Sequence, residues 1–368
     1  MQLTSLALSN LRNYSVLDFR PQAGLNVLVG QNAQGKSNLL EAICLLGTGK
    51  SFRTNRESDL IKSGLDVASA SGEATLRAAG TIRLSCTISS TPRGTRKIYT
   101  LNGEPVKYAK FLGSAKVVTF VPADLQLVTG PPSLRRHLLN MALSQDQPLY
   151  YRNLARYQKV LVQKAALLRG AVAPDPDLVN IYNQTLVETG AAIMLARAHF
   201  VSALGREARR VQDQWISDGG ALQVQYDANV PFEVATQDAV TAAFEARLRE
   251  RAEAESARKA CLVGPHRDDV MLLLAGASLA AFGSQGQQRT AVLAVKAGEY
   301  TVMHDRSAEA PLLLLDDVLS ELDPSRARAF MNGIGHYEQA FLTTTVMPPD
   351  LRSSALYEVS AAQLKRVA

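Results

Sequence analysis

The chain has 368 residues, 40 Lys and Arg against 34 Asp and Glu, a net charge of +6 and 46% hydrophobic residues. This composition excludes a disordered polyelectrolyte, a collagen-like fibre and a disulfide-stapled miniprotein, and the length allows a large core and more than one structural unit. The longest apolar run, at 271–282, is too short to cross a bilayer and no basic-then-apolar signal pattern opens the chain, so a cytoplasmic location and no membrane partner are expected.

Strands are predicted at 2–8, 16–19 and 25–29, the first two around a turn at Asn10-Leu11-Arg12-Asn13, with a helix starting near Ser37. Between 75 and 101 the pattern alternates, with turn residues at Thr91-Pro92-Arg93-Gly94 and Asn102-Gly103. From 108 to 214 helical signals dominate. Pro131-Pro132-Ser133 opens one helix, 154–168 has three-and-four apolar spacing, and Pro174-Asp175-Pro176-Asp177 turns into another that runs through Arg210. Strands return after Leu222, followed by charged and mixed helices at 241–259 and 290–304 and an apolar strand at 311–315. The expected class is α/β with mixed sheets, divided into a discontinuous unit of 1–108 and 212–368 and an inserted, mainly helical unit of 109–211. Cys44, Cys86 and Cys261 lack any paired spacing and read as small buried hydrophobes.

The charge is unevenly spread. Residues 77–169 carry 15 Lys and Arg against three acids, Glu104, Asp124 and Asp146, a local charge of +12 that leaves −6 for the rest. Such asymmetry predicts a densely negative partner, and nucleic acid is the commonest soluble one. Arg152, Arg156 and Lys159 share one helical face by their four- and three-residue steps and suit a row of DNA phosphates without base readout. Arg135 and Arg136 extend this basic strip. Tyr150, Tyr151 and Tyr157 interleave with it, either to stack on unpaired bases or to pack between helices.

Gly30-Gln31-Asn32-Ala33-Gln34-Gly35-Lys36-Ser37 matches the Walker A pattern, between the strand at 25–29 and the helix holding Leu39, Leu40 and Ile43. Its glycines let successive N–H groups converge on phosphate oxygens, and the helix adds its positive end. Gly30, Asn32, Gly35, Lys36, Ser37 and Asn38 are the candidate ATP contacts; Lys36 neutralises the β and γ phosphates and Ser37 ligates Mg²⁺. A buried parallel strand explains the apolar run Pro311-Leu312-Leu313-Leu314-Leu315, and it delivers Asp316 and Asp317 to the edge of the sheet. Asp316 is the second expected Mg²⁺ ligand, while Asp317, with Lys36, is the candidate catalytic residue, polarising the attacking water.

A second small-residue turn, Phe282-Gly283-Ser284-Gln285-Gly286-Gln287-Gln288-Arg289, opens a helix before Asp316. It resembles the signature sequence of ABC-type ATPases. That resemblance implies that Ser284, Gly286 and Gln287 complete the nucleotide site of a second copy, and that Asp323, in Ser320-Glu321-Leu322-Asp323, lies along the dimer seam. Against a transporter-type subunit, the signature here follows the phosphate loop by about 250 residues and lacks the Leu-Ser-Gly-Gly-Gln form. A helicase-like motor would need further motifs, and none is found.

Several segments together resemble the RecF family of DNA replication and repair proteins: Leu11-Arg12-Asn13-Tyr14, Gly49-Lys50-Ser51-Phe52-Arg53-Thr54, and Val121-Pro122-Ala123-Asp124-Leu125 followed by Arg135-Arg136. Gly264-Pro265-His266-Arg267-Asp268-Asp269, the run at 282–289 and the segment at 315–323 continue the resemblance across nearly the whole chain. It implies an ABC/SMC-like ATPase head without the long coiled coil, ATP-dependent homodimerisation, and binding to duplex or duplex/single-strand junction DNA. It further implies weak DNA-stimulated ATP hydrolysis and action with RecR and RecO in loading RecA at single-stranded gaps, with a link to the SOS response. Arg12 resembles an N-terminal arginine that approaches the nucleotide phosphates in related heads. Asp317 stands where many relatives carry Glu, so slow hydrolysis is expected. Arg53 and Arg267 are left between phosphate, DNA and a neighbouring carboxylate, His266 is assigned to packing, and which of Thr343, Thr344 and Thr345 replaces the switch histidine stays open.

Overall fold

The computed structural model describes every residue except 171, 173, 216–219, 308, 322–326, 328–329, 331–336, 348–352 and 368. The chain forms two compact units, one of Met1–Leu125, Val211–Ser217 and Val292–Ala368, the other of Gln126–Arg210 and Asp218–Ala291.

The first unit opens with β1 (Gln2–Leu11), β2 (Tyr14–Phe19), β3 (Gly24–Val29) and α1 (Lys36–Thr48). It continues through β4 (Val67–Leu76), β5 (Gly80–Thr91), β6 (Gly94–Leu101), β7 (Glu104–Val106), α2 (Tyr108–Phe111) and β8 (Val117–Phe120). An antiparallel sheet runs in the order β2-β1-β4-β5-β6-β7. Its side chains alternate as a one-sided sheet requires: Ala68, Ala70, Leu84, Cys86 and Ile88 are buried, and Ser69, Ser71, Ser85 and Ser89 occupy the other face.

In the second unit α3 (Gln126–Thr129), α4 (Pro132–Asp146), α5 (Pro148–Leu168) and most of α6 (Pro176–Trp215) precede β9 (Leu222–Asp227) and α7 (Gln237–Arg258). Then come β10 (Asp269–Leu274), β11 (Ala277–Ser278), α8 (Leu279–Phe282) and the start of α9 (Gln285–Arg306). Both α4 and α5 begin on a proline, which fits the first helical turn because its missing N–H has no partner there anyway. The helices are fastened to the 264–269 segment by a buried network. Arg197, only 2% exposed, donates to Asp268 Oδ2 (2.8 Å), the Pro265 carbonyl (2.6 Å), Asn140 Oδ1 (2.9 Å) and the Tyr150 hydroxyl (3.1 Å). Asp268 also accepts from Tyr226 and from the Asn229 N–H. Every charge in this network is paired, and removing one partner from such a pair costs about 3–5 kcal/mol.

The chain returns to the first unit as β12 (Leu312–Asp316), β13 (Gln339–Thr344), β14 (Ala355–Ser360) and β15 (Gln363–Arg366). They build a sheet of order β15-β14-β3-β13-β12-β8, parallel apart from the β14–β15 hairpin. All five residues of β12 are buried, and each leucine there contributes roughly 1.5–3 kcal/mol. Residues 39–48 of α1 are buried all round because the helix touches β1, β4 and β5 on one side and β8, β12 and β13 on the other.

Two differences from the sequence reading matter. Residues 117–120, expected within the helical unit, are the strand β8, in register with β12 from Val117↔Leu312 to Phe120↔Leu315. Four apolar residues are too few to display a period, so the surrounding helical signal hides them. Residues 218–291, expected in the ATPase unit, group with the helices. The cause is visible in the Arg197–Asp268 network and in β10, which packs on α4.

Candidate nucleotide-binding site

The glycine-rich loop leaves β3 and enters α1 through Gly35, whose φ of 117° is open to glycine at little cost and strained for other residues. At Gly30 a Cβ would stand 2.2 Å from the Val359 carbonyl, so backbone proximity to β14 also demands glycine. No side chain caps α1, which leaves its first N–H groups directed at the loop, the arrangement that holds phosphate. The 10–14 turn braces this loop. Asn13 donates to the Gln34 carbonyl (3.2 Å), the Tyr14 hydroxyl to the Gly35 carbonyl (3.2 Å), and Asn38 to Asn13 Oδ1 (2.8 Å).

Lys36, 7% exposed, donates through Nζ to the carbonyls of Gly30 (2.5 Å) and Gln31 (2.8 Å). Burial lowers its pKa, and the carboxylates of Asp317 and Asp316 oppose that shift. Ser37 Oγ donates to Asp316 Oδ1 at 2.6 Å across 279 residues of sequence. The same oxygen accepts from Thr343 Oγ1 (2.8 Å), and the Thr343 hydroxyl accepts in turn from the Asp317 N–H (2.9 Å). Thr343 is therefore the threonine that meets Asp316 and Asp317; Thr344 bonds the Val346 carbonyl in its own turn. Asp317 has a φ of 52°, uncommon outside glycine and asparagine, and with Asn32, Asn38 and Arg53 it lines the pocket that holds Lys36, Ser37 and Thr343.

The donor set suits magnesium. Ser37 and Asp316 offer two adjacent hard oxygens, and among the described residues no group of three or more His, Cys, Asp or Glu is placed to hold a metal ion. A cation here would draw its remaining ligands from phosphate and water, as Mg²⁺ does and structural zinc does not.

Other expected site residues lie elsewhere or have partners already. Ser284, Gly286 and Gln287 belong to the second unit. There the Ser284 N–H donates to Gln287 Oε1 (2.9 Å) and the Gln287 N–H to Ser284 Oγ (3.3 Å), a reciprocal cap at the exposed start of α9. Asp323 lies outside the described residues. Arg12, expected near the phosphates, bonds Glu41 through Nε and Nη2 (2.7 Å each) and the Asp59 carbonyl.

The expected DNA strip also divides. Arg152, Arg156 and Lys159 are exposed along α5, Arg156 with an ion pair to Glu188. Arg135 makes two bonds to Asp269 (2.6 and 2.8 Å) and two to the carbonyls of Leu127 and Gly130, and Arg136 donates to the Asp268 carbonyl. These two arginines hold α4 to the 264–269 segment. Tyr150 and Tyr157 are buried too, Tyr157 against His266, so packing accounts for both. Sequence reasoning passed over Glu41 and Asn13. Glu41 carries no motif signal beyond being a charge on the apolar stretch of α1.

A parallel sheet that delivers a glycine-rich loop, a bonded Ser–Asp pair and a buried lysine to one edge defines a phosphate-binding-loop head. Residues 2–364 match the family model described as RecF/RecN/SMC N terminal domain. The DNA replication and repair protein RecF of Symbiobacterium thermophilum is 41% identical over 350 residues, covering 94% of this chain and 92% of that one. RecF of Thermosynechococcus vestitus is 42% identical over 352 residues, covering 95% and 92%. Among solved structures, the recombination mediator RecF bound to ATP, from the RecFOR pathway, superposes with a TM-score of 0.91 at 29% identity over 100% of this chain and 97% of that one. An Smc head domain from Pyrococcus furiosus shares the fold, at a TM-score of 0.57 and 16% identity over 99% and 95% of the two chains. The chain belongs to the RecF family.

Proposed function

We propose that this protein is an ATP-switched DNA-binding factor of recombinational repair, acting with RecR and RecO to promote RecA loading at gaps. The observation that carries the reading is the Ser37–Asp316–Thr343 cluster beside Lys36, at the mouth of the glycine-rich loop. Lys36, Ser37, Asp316 and Thr343 come from three distant segments, and Asp317 lines the same pocket, which supports a cation, metal ligands and a water-positioning acid acting together on a triphosphate. Support from relatives is the similarity to RecF bound to ATP.

In this reading Gly30, Asn32, Gly35 and Asn38 shape the cradle and Lys36 neutralises the β and γ phosphates. Ser37 and Asp316 are the ligands for Mg²⁺, which supplies charge neutralisation when bound. Asp317 orients the attacking water. Its carboxylate is one methylene shorter than glutamate, so hydrolysis is slow and serves to release DNA. Ser284, Gly286 and Gln287 of one copy close the site of another, so ATP joins two heads and sets the affinity for duplex or junction DNA.

Light scattering on the full chain without nucleotide and with ATP, ADP or a slowly hydrolysed ATP analogue tests this. Dimers are expected with ATP and the analogue only, and are lost in Lys36→Ala and Ser284→Arg. A dimer indifferent to nucleotide rules the switch out.

A further inference from the structure

Glu41, on α1, is fully buried and takes part in none of the recognised motifs. Two guanidiniums and a hydroxyl converge on it. Arg12 donates from Nε and Nη2 at 2.7 Å each, Ser51 donates from Oγ, and Arg53 Nη1 stands 3.9 Å from Oε2.

The two arginines are held very differently. Arg12 is bidentate on Glu41, bonds the Asp59 carbonyl, and has 18% of its side chain exposed. Arg53 is 47% exposed, donates to Asn38 Oδ1 (2.6 Å), and lines the nucleotide pocket beside Asn13, Lys36 and Ser37. One carboxylate facing two guanidiniums leaves one positive charge uncompensated, and the geometry puts that excess on Arg53, at the pocket wall. Glu41 also reaches Arg53 through the backbone. The Ser51 hydroxyl that it holds accepts from the N–H groups of Arg53 (2.9 Å) and Thr54 (3.1 Å), closing the 51–54 turn.

We propose that Glu41 is a positioning residue for nucleotide binding: it locks Arg12 as an anchor and, through Ser51 and the ion pair, sets the Arg53 charge toward the nucleotide phosphates. The inference rests on reading this pocket as the nucleotide site. Asn38 and Asn13 complete the path from Arg53 to the Gln34 carbonyl of the loop, so a change at Glu41 reaches the cradle through named bonds.

A double-mutant cycle tests it. Equilibrium binding of a fluorescent ATP analogue with Mg²⁺ is measured on the full-length wild type, Glu41→Gln, Arg53→Ala, the double variant and Lys36→Ala, with nucleotide-free thermal unfolding alongside. Glu41→Gln and Arg53→Ala are each expected to weaken binding about tenfold, and the double variant to bind no worse than Arg53→Ala. Unchanged affinity in Glu41→Gln, or losses that multiply in the double variant, overturns the assignment, because a general structural role would act without Arg53. Lys36→Ala separates the two levels. If it binds as wild type does, the nucleotide reading of the pocket fails; if it alone loses binding, only the role of Glu41 fails. Should Glu41→Gln not fold, Ser51→Ala breaks the same path without altering a buried charge, and it too must weaken binding only when Arg53 is present.

Discussion

Thr343 shows how one hydroxyl can order several charged groups. It donates to Asp316 and accepts from the Asp317 N–H, so it fixes the expected metal ligand and the backbone of the expected water-orienting acid together. Thr343 is fully buried, and leaving a buried polar group without its partner costs about 1–3 kcal/mol. Thr343→Val is accordingly expected to slow ATP turnover about ten- to a hundredfold while changing ATP affinity less. Steady-state turnover beside equilibrium nucleotide binding measures both, with Thr344→Val as a control whose turnover stays near wild type. Lost affinity with unchanged turnover at saturating ATP would assign Thr343 to binding alone. At this same scale Arg12 and Arg135 show why a charge cannot be given a role from its own position: each is spent on a carboxylate far away in the chain, Glu41 and Asp269.

Among the elements, the segment at 264–269 has a packing role that extends beyond His266: Asp268 is a buried anion paired with Arg197, and Arg267 donates to the Cys261 carbonyl. His266 lies between the Tyr157 hydroxyl (2.6 Å) and the Cys261 carbonyl (3.2 Å), and burial, reinforced by Arg267, pushes its pKa down to about 4, despite the Cys261 hydrogen bond and the carboxylates of Asp268 and Glu255. Unfolded, it titrates near 6.5. Between those values the unfolded chain binds the extra proton, so stability holds above pH 6.5 and falls as pH drops toward 4, by up to about 3 kcal/mol from this group. Urea unfolding of wild type and His266→Gln at pH 7.5 and 5.5 is expected to show the wild type losing more stability on acidification. Parallel losses would remove His266 as the source. The neighbouring strand β8 makes the complementary point, since its four residues acquire meaning only beside β12.

Over the whole molecule, the charge contrast along the chain is not a contrast between surfaces. The cations of 77–169 fall in both units, and many are neutralised by acids from outside that stretch: Arg77 by Glu338, Arg83 by Glu73, Lys97 by Glu57, Arg135 by Asp269 and Lys164 by Glu255. In the helical unit Arg152, Arg156 and Lys159 of that stretch are exposed along α5, the face proposed for DNA. Replacing all three by alanine is expected to weaken DNA binding and to flatten its logarithmic salt dependence by about 2–3, with ATP affinity unchanged. Salt titrations of binding to duplex and junction DNA check this, and wild-type affinity in the triple variant would move the DNA surface elsewhere. No helix among the described residues is long and apolar enough to cross a membrane.

From the sequence alone came the phosphate loop between its strand and helix, the leucine strand that ends in Asp316 and Asp317, and the turn that opens α9. Each is legible because its residues act as neighbours in the chain, where spacing alone dictates geometry. Only the folded chain decided which threonine meets Asp316, that Glu41 gathers Arg12, Ser51 and Arg53, and that Arg135 pairs with Asp269. Those outcomes depend on partners brought together across tens to hundreds of residues. A buried charge or hydroxyl is claimed by whichever group packing places within about 3 Å of it, and a one-dimensional pattern does not contain that distance.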